Sequence, residues 1–109
     1  MTGGAALIWC PFPDADSARV AAGQLLADGL IACANILPGV ESLFIWQGKA
    51  DSAVEVGMLC KTTADRLDAA IARLGALHPY ETPAIIGWQA DAAHPLTLQW
   101  LTGSMPPVA

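Results

Sequence analysis

The hydrophobic pattern is most pronounced between Ala32 and Thr63. Ala32–Gln47 (ACANILPGVESLFIWQ) is rich in apolar, β-branched and aromatic residues, and Ala53–Thr63 alternates with a period of two. Val54, Val56, Met58 and Cys60 fall on one face of this second run, and Glu55, Gly57, Leu59 and Lys61 on the other. The polar segment Gln47-Gly48-Lys49-Ala50-Asp51-Ser52 between them reads as a hairpin loop. At about 3.3 Å per residue the first run reaches roughly 50 Å. A compact 100-residue domain has a radius of gyration near ~13 Å. Even bent at Pro38-Gly39, the arm overshoots its own globule. It carries Phe44, Ile45 and Trp46, so the pattern predicts an oligomer in which a second chain covers the arm, with functional sites between subunits.

Around the hairpin the period changes. Ala5–Cys10 is a short apolar strand that Pro11-Phe12-Pro13-Asp14 is expected to stop. Helical spacing follows over Ala15–Asp28, with Asp14 or Asp16 as N-cap, a buried stripe of Ala18, Ala21, Ala22, Leu25 and Leu26, and Gly29 as the left-handed terminator. Thr62-Thr63-Ala64-Asp65 reads as a capping box opening a second helix over Ala64–Leu77, with Leu67, Ala70, Ile71, Leu74 and Leu77 inward. His78-Pro79 ends that helix. Pro83–Ala90 is a fourth strand, and His94-Pro95 starts a last helix with Leu96, Trp100 and Leu101 facing inward. The proline-rich tail Met105–Ala109 is expected to fray.

The order β-α-β-β-α-β plus a helix is that of the α+β ferredoxin-like split βαβ fold. Right-handed crossovers put strand three between strands one and two, antiparallel to both, and strand four antiparallel on the far side of strand one. Strand one and the second helix then finish at the same end of the sheet. Cys10, His78, Tyr80 and Glu81 belong to that end, Trp46 lies at or beyond it, and Cys33, Cys60 and Lys61 belong to the opposite end.

Composition narrows the classes. The 109 residues make one domain; 54% are hydrophobic and only 14% charged, which again points to buried subunit interfaces. A net charge of −5, with Arg19, Lys49, Lys61, Arg66 and Arg73 scattered, forms neither a nucleic-acid surface nor a polybasic membrane anchor. No apolar run is long enough to span a membrane. Met-Thr-Gly-Gly carries no basic residue ahead of its apolar run, which argues against a signal peptide. Three widely spaced cysteines fit free thiols in a reducing cytoplasm.

A thiol and an imidazole at one rim, Cys10 and His78, suit copper or zinc. Spacing adds little, because there is no Cys-x-x-Cys and no His-x-x-x-His. Cys33 and Cys60 read as buried small hydrophobes, His94 as an N-cap, and His78 is favoured at a helix C-terminus by the dipole alone. A thiol enzyme built on Cys10 and His78 lacks an evident orienting group and oxyanion hole. No glycine-rich phosphate loop is present, so no organic cofactor is expected. Glu55 and Glu81 form a candidate rim pair. An isolated charge in an apolar sheet is costly, so Glu55 or Lys61 should make a buried or interface contact. Trp9, Trp46, Trp88 and Trp100 read as core and interface.

Taken in order, several short motifs resemble the divalent-cation tolerance family, CutA. They are Ala32-Cys33-Ala34-Asn35-Ile36-Leu37-Pro38-Gly39, Phe44-Ile45-Trp46-Gln47-Gly48-Lys49, Glu55-Val56 leading to Lys61-Thr62-Thr63, and His78-Pro79-Tyr80-Glu81-Thr82-Pro83. The resemblance covers about Leu7 to Leu101. It implies a cytoplasmic, non-enzymatic homotrimer whose long hairpins wrap their neighbours, as in PII-like signalling proteins. It also implies a role in divalent-metal homeostasis, with copper or another divalent metal held at Cys10, at His78 and at the residue before it. That residue is Leu77 here, which leaves two protein ligands. The position after the last motif proline is Ala84, where the family often has an acidic residue. Two-ligand binding should be weak, and Cys10→Ser should reduce it more than Cys33→Ser. Two alternatives stand beside this reading. One is a PII-like small-ligand sensor with inter-subunit clefts lined by Trp46, Glu55, Lys61, Tyr80 and Glu81; the other is an enzyme on the same fold.

Overall fold

The structure, a computed structural model, describes residues 4–107. Met1-Thr2-Gly3 of the N-terminal stretch and Val108-Ala109 of the tail lie outside the described residues. The elements are β1 (Ala5–Phe12), α1 (Ala15–Ala27), β2 (Cys33–Trp46), β3 (Lys49–Thr63), α2 (Leu67–Leu77), β4 (Ile86–Gln89) and α3 (Pro95–Ser104), with a 3₁₀ turn over Ala64–Arg66 before α2. The sheet order is β2-β3-β1-β4, and every neighbouring pair is antiparallel. This is the ferredoxin-like arrangement that the sequence predicts.

Side-chain alternation builds the core on one face of this sheet. Ile8 pairs with Cys60, Cys10 with Met58 and Phe12 with Val56, so Ala6, Ile8, Cys10 and Phe12 share a face with Val56, Met58 and Cys60. Ala18, Ala21, Ala22 and Leu25 of α1 and Leu67, Ala70 and Leu74 of α2 close over them. Small residues on α1 let that helix approach the sheet. Leu26, expected in the stripe, is exposed instead. The other face, with Leu7, Trp9, Leu59, Lys61, Ile86 and Trp88, has no helical cover from α1 or α2.

Several boundaries differ from the sequence reading. β1 runs through Pro11 to Phe12, because the alternation Ala6, Ile8, Cys10, Phe12 is uninterrupted. Pro11 pairs with Gly57 beyond the reach of β4, which covers only Ala6–Trp9, and its carbonyl is taken by His78. In a strand the N–H and C=O of one residue point to the same side, so the missing N–H costs no ladder bond to β3. The six-residue loop shrinks to Gln47-Gly48, with φ of 49° and 79°, and β3 starts at Lys49. The ladder is interrupted between Leu37 and Val40, where Gly39 takes φ 75° and the arm bends. β4 is confined to four residues.

Capping also departs in one place. Asp14 caps α1 by accepting the Ser17 N–H at 2.7 Å, and His94 Nδ1 caps α3 by accepting the Leu96 N–H at 3.1 Å, as expected. The capping box before α2 does not form: the Thr63 hydroxyl donates to Asp65 Oδ1 and accepts from Arg66, and the chain enters α2 through the 3₁₀ turn. In α3 only Leu101 of the three expected inward residues is buried; Leu96 and Trp100 are exposed. The described part of the tail is docked. Met105 is buried beside the Thr62 hydroxyl, and buried Arg66 donates to the Pro106 carbonyl.

Candidate functional site

The rim where β1 and α2 both end gathers the candidate residues. Helix α2 stops at Leu77, and His78 leaves it in an extended conformation with ψ 138°, as a residue before proline must. That turn folds the imidazole back over β1. The ring stacks on Phe12, with centroids 4.3 Å apart, and lies 4.9 Å from the Tyr80 ring. Its Nδ1 accepts the Tyr80 N–H at 3.0 Å and its Nε2 lies 2.8 Å from the Pro11 carbonyl. The first bond requires a lone pair on Nδ1 and the second a proton on Nε2, so the network assigns one neutral tautomer with both nitrogens engaged. His78 is 8% exposed.

Cys10 lies at the same end, as the topology predicts. Its thiol donates to the same Pro11 carbonyl at 3.6 Å, so thiol and imidazole both address that oxygen. This is not a nucleophile and base facing each other. Burial, then the neighbouring Cys60 and Glu55, push the Cys10 thiol up to about 12. Cys60 is likewise pushed to about 12, by burial and then by Cys33.

A metal ligand must offer a lone pair, and a cysteine ligand must lose its proton. His78 has neither nitrogen free, and Cys10 strongly favours its thiol form. Among the described residues no group of three or more histidine, cysteine, aspartate or glutamate side chains is gathered in ligating range. Cys10 and His78 as they stand therefore do not fit a metal centre.

The polar half of the rim is a carboxylate–phenol pair. Glu55 projects from β3 onto the open sheet face and is only 8% exposed. Tyr80 donates its hydroxyl to Glu55 Oε2 at 2.8 Å. The expected contact of Glu55 or Lys61 is thus made by Glu55. Desolvation first, and then the bond to the Glu55 carboxylate, push the Tyr80 phenol up to about 12. Beside them, Trp9 lies across Gly57, where a Cβ would come 2.3 Å from the Trp9 ring.

The structure brings together Cys10, His78, Tyr80 and Glu55. It spreads the rest. Glu81 follows Tyr80 and is exposed. Trp46 faces Lys49 at the arm tip and is 51% exposed, while half-buried Lys61 pairs with Leu7 and Cys33 at the far end of the sheet. Glu55 is six residues from Lys49 and six from Lys61, so roughly 20 Å separates it from each along β3. Sequence reasoning missed Phe12 and Pro11 as the partners of His78. The signal available was the continued alternation through Phe12.

A four-stranded antiparallel sheet in ferredoxin-like order, an overlong β2–β3 arm and a His-Pro-Tyr rim define the class of small α+β divalent-ion tolerance proteins. Residues 6–104 match the model of the family CutA1 divalent ion tolerance protein, and the chain belongs to this family. A divalent-cation tolerance protein CutA from Salmonella newport (strain SL254) is 38% identical over 101 residues, 93% of this chain and 88% of the relative. The crystal structure of CutA from Xylella fastidiosa superposes with a TM-score of 0.89 at 38% identity, covering 95% of this chain and 100% of the other. A CutA from Archaeoglobus fulgidus, described as a periplasmic divalent cation tolerance protein, superposes with a TM-score of 0.86 at 30% identity, covering 92% and 97%.

Proposed function

We propose that the protein acts in tolerance of divalent cations as a homotrimer, and that it does so as a binding protein rather than an enzyme. Membership of the divalent ion tolerance family supports the cation role. One observation carries the assembly: Leu43, Ile45 and Val54 are 75%, 71% and 75% exposed on an arm that projects beyond the core. An apolar patch of this kind marks an interaction surface, and in a threefold ring the arms and sheet edges of equivalent subunits cover one another. Three unpaired cysteines support a cytoplasmic setting. Cell fractionation checks this against a periplasmic placement like that in the description of the Archaeoglobus protein.

Copper is the metal the family resemblance implies for Cys10 and His78. To hold it there, His78 has to give up the Tyr80 N–H and Cys10 its proton. We therefore place the cation's effect outside a tight Cys10–His78 centre. Calorimetric titration with copper should show no tight site, and Cys10→Ser should leave the isotherm unchanged. A tight isotherm abolished by Cys10→Ser would overturn this placement. Growth of cells with and without the gene in graded copper and zinc tests the tolerance role; equal growth throughout would contradict it.

A further inference from the structure

Glu55 is a carboxylate more than nine-tenths buried whose single hydrogen-bond donor among the described residues is the neutral Tyr80 hydroxyl. A buried carboxylate is expensive unless a cation compensates it. No cation among the described residues does so. The ion pairs among the described residues use Arg19 with Asp16, Arg66 with Asp65 and Arg73 with Asp28. Lys49 and Lys61 enter none of them. Both share the Glu55 face of β3, but each lies roughly 20 Å away along the strand, beyond the reach of a lysine side chain.

The two lysines differ in what they can meet. Lys61 is held half-buried in the middle of the sheet, between Leu7 of β1 and Cys33 of β2. Lys49 is exposed at the tip of the arm, next to the Gln47-Gly48 turn. From Glu55 at its base to Lys49 at its tip the arm spans roughly 20 Å, close to the 22 and 26 Å short dimensions of the molecule. An arm of that length, laid across an equivalent subunit, carries its tip over that subunit's width.

We infer that the Glu55–Tyr80 pair is a half-site, completed by the Lys49 ammonium on the arm tip of a second copy of this chain. This rests on the homotrimer proposed above. It commits the Glu55 carboxylate to a protein cation and makes the arm tip part of the rim site. A free cationic ligand at Glu55 is the competing occupant.

The test is a mutant cycle on the assembled protein. Trimer dissociation is measured by sedimentation in graded guanidinium for the wild type, Lys49→Met, Glu55→Gln and the double variant. Each single substitution should raise the dissociation constant about tenfold or more, and the double should be no worse than Glu55→Gln alone. Additive losses, or a Lys49→Met trimer as tight as the wild type, would overturn the pairing while leaving the trimer standing. A wild-type protein that sediments as a monomer would remove the trimer and the pairing together. Carbodiimide coupling in the presence of putrescine gives a second readout. A Lys49–Glu55 amide joining two chains supports the pairing. Glu55 coupled to putrescine in the intact trimer, with no Lys49 link, contradicts it and assigns the carboxylate to a free amine.

Discussion

Tyr80 is the single tyrosine of the chain, so its ionisation can be followed by ultraviolet absorbance without overlap from another phenol. Partial desolvation and the bond to the Glu55 carboxylate push its pKa up to about 12, above the ordinary value of 10.0, although the residue is 37% exposed. A raised folded-state value means that the contribution of Tyr80 to stability is intact below pH 10 and is lost as the pH rises through about 12. Glu55→Gln should bring the absorbance midpoint part-way back, because the desolvation remains. A wild-type midpoint at the ordinary value would contradict the bond. Cys10 and Cys60, unlike Tyr80, are fully buried, so both should resist a disulfide reagent at pH 8 and react once guanidinium unfolds the chain. Gly57→Ala should destabilise by about 1–3 kcal/mol in denaturant unfolding, since its Cβ drives Trp9 off the sheet. At this scale the sequence and topology place Cys10 and His78 at one end. They do not reveal that both address Pro11, because that depends on a carbonyl in a strand whose proline reads as a stop.

The arm shows why element boundaries are harder to read than element types. Lys49–Ser52 is polar and resembles a loop, yet each of these residues pairs across the ladder, from Trp46 with Lys49 to Leu43 with Ser52. Polarity there reflects solvent on the arm and not the absence of a strand. The reversal falls on Gln47 and Gly48, both at positive φ, the conformation of a two-residue type I′ hairpin. Gln47→Asn should therefore slow hydrogen exchange of the arm amides, and Gly48→Val should speed it, since a β-branched residue is strained at positive φ. Equal exchange in all three proteins would contradict the turn assignment. The helices were legible from their stripes, Leu67, Ala70 and Leu74 most clearly. In α3 the apolar residues Leu96 and Trp100 outnumber the core positions available within one subunit, so hydrophobicity alone misplaces them. Proline content likewise suggests a loose tail, but Arg66 and Thr62 anchor Met105 and Pro106.

The whole molecule measures 44 × 26 × 22 Å, and the arm accounts for its elongation. The expected mismatch between strand length and globule size is present, and it is the feature on which the proposed assembly and the proposed completion of the rim rest. In the proposed homotrimer neighbouring chains would cover Leu43, Ile45 and Val54 and bring Lys49 to Glu55. Multi-angle light scattering of the purified protein at micromolar concentration measures this most directly. It should give three times the mass of the 109-residue chain, and a mass equal to one chain would contradict the account.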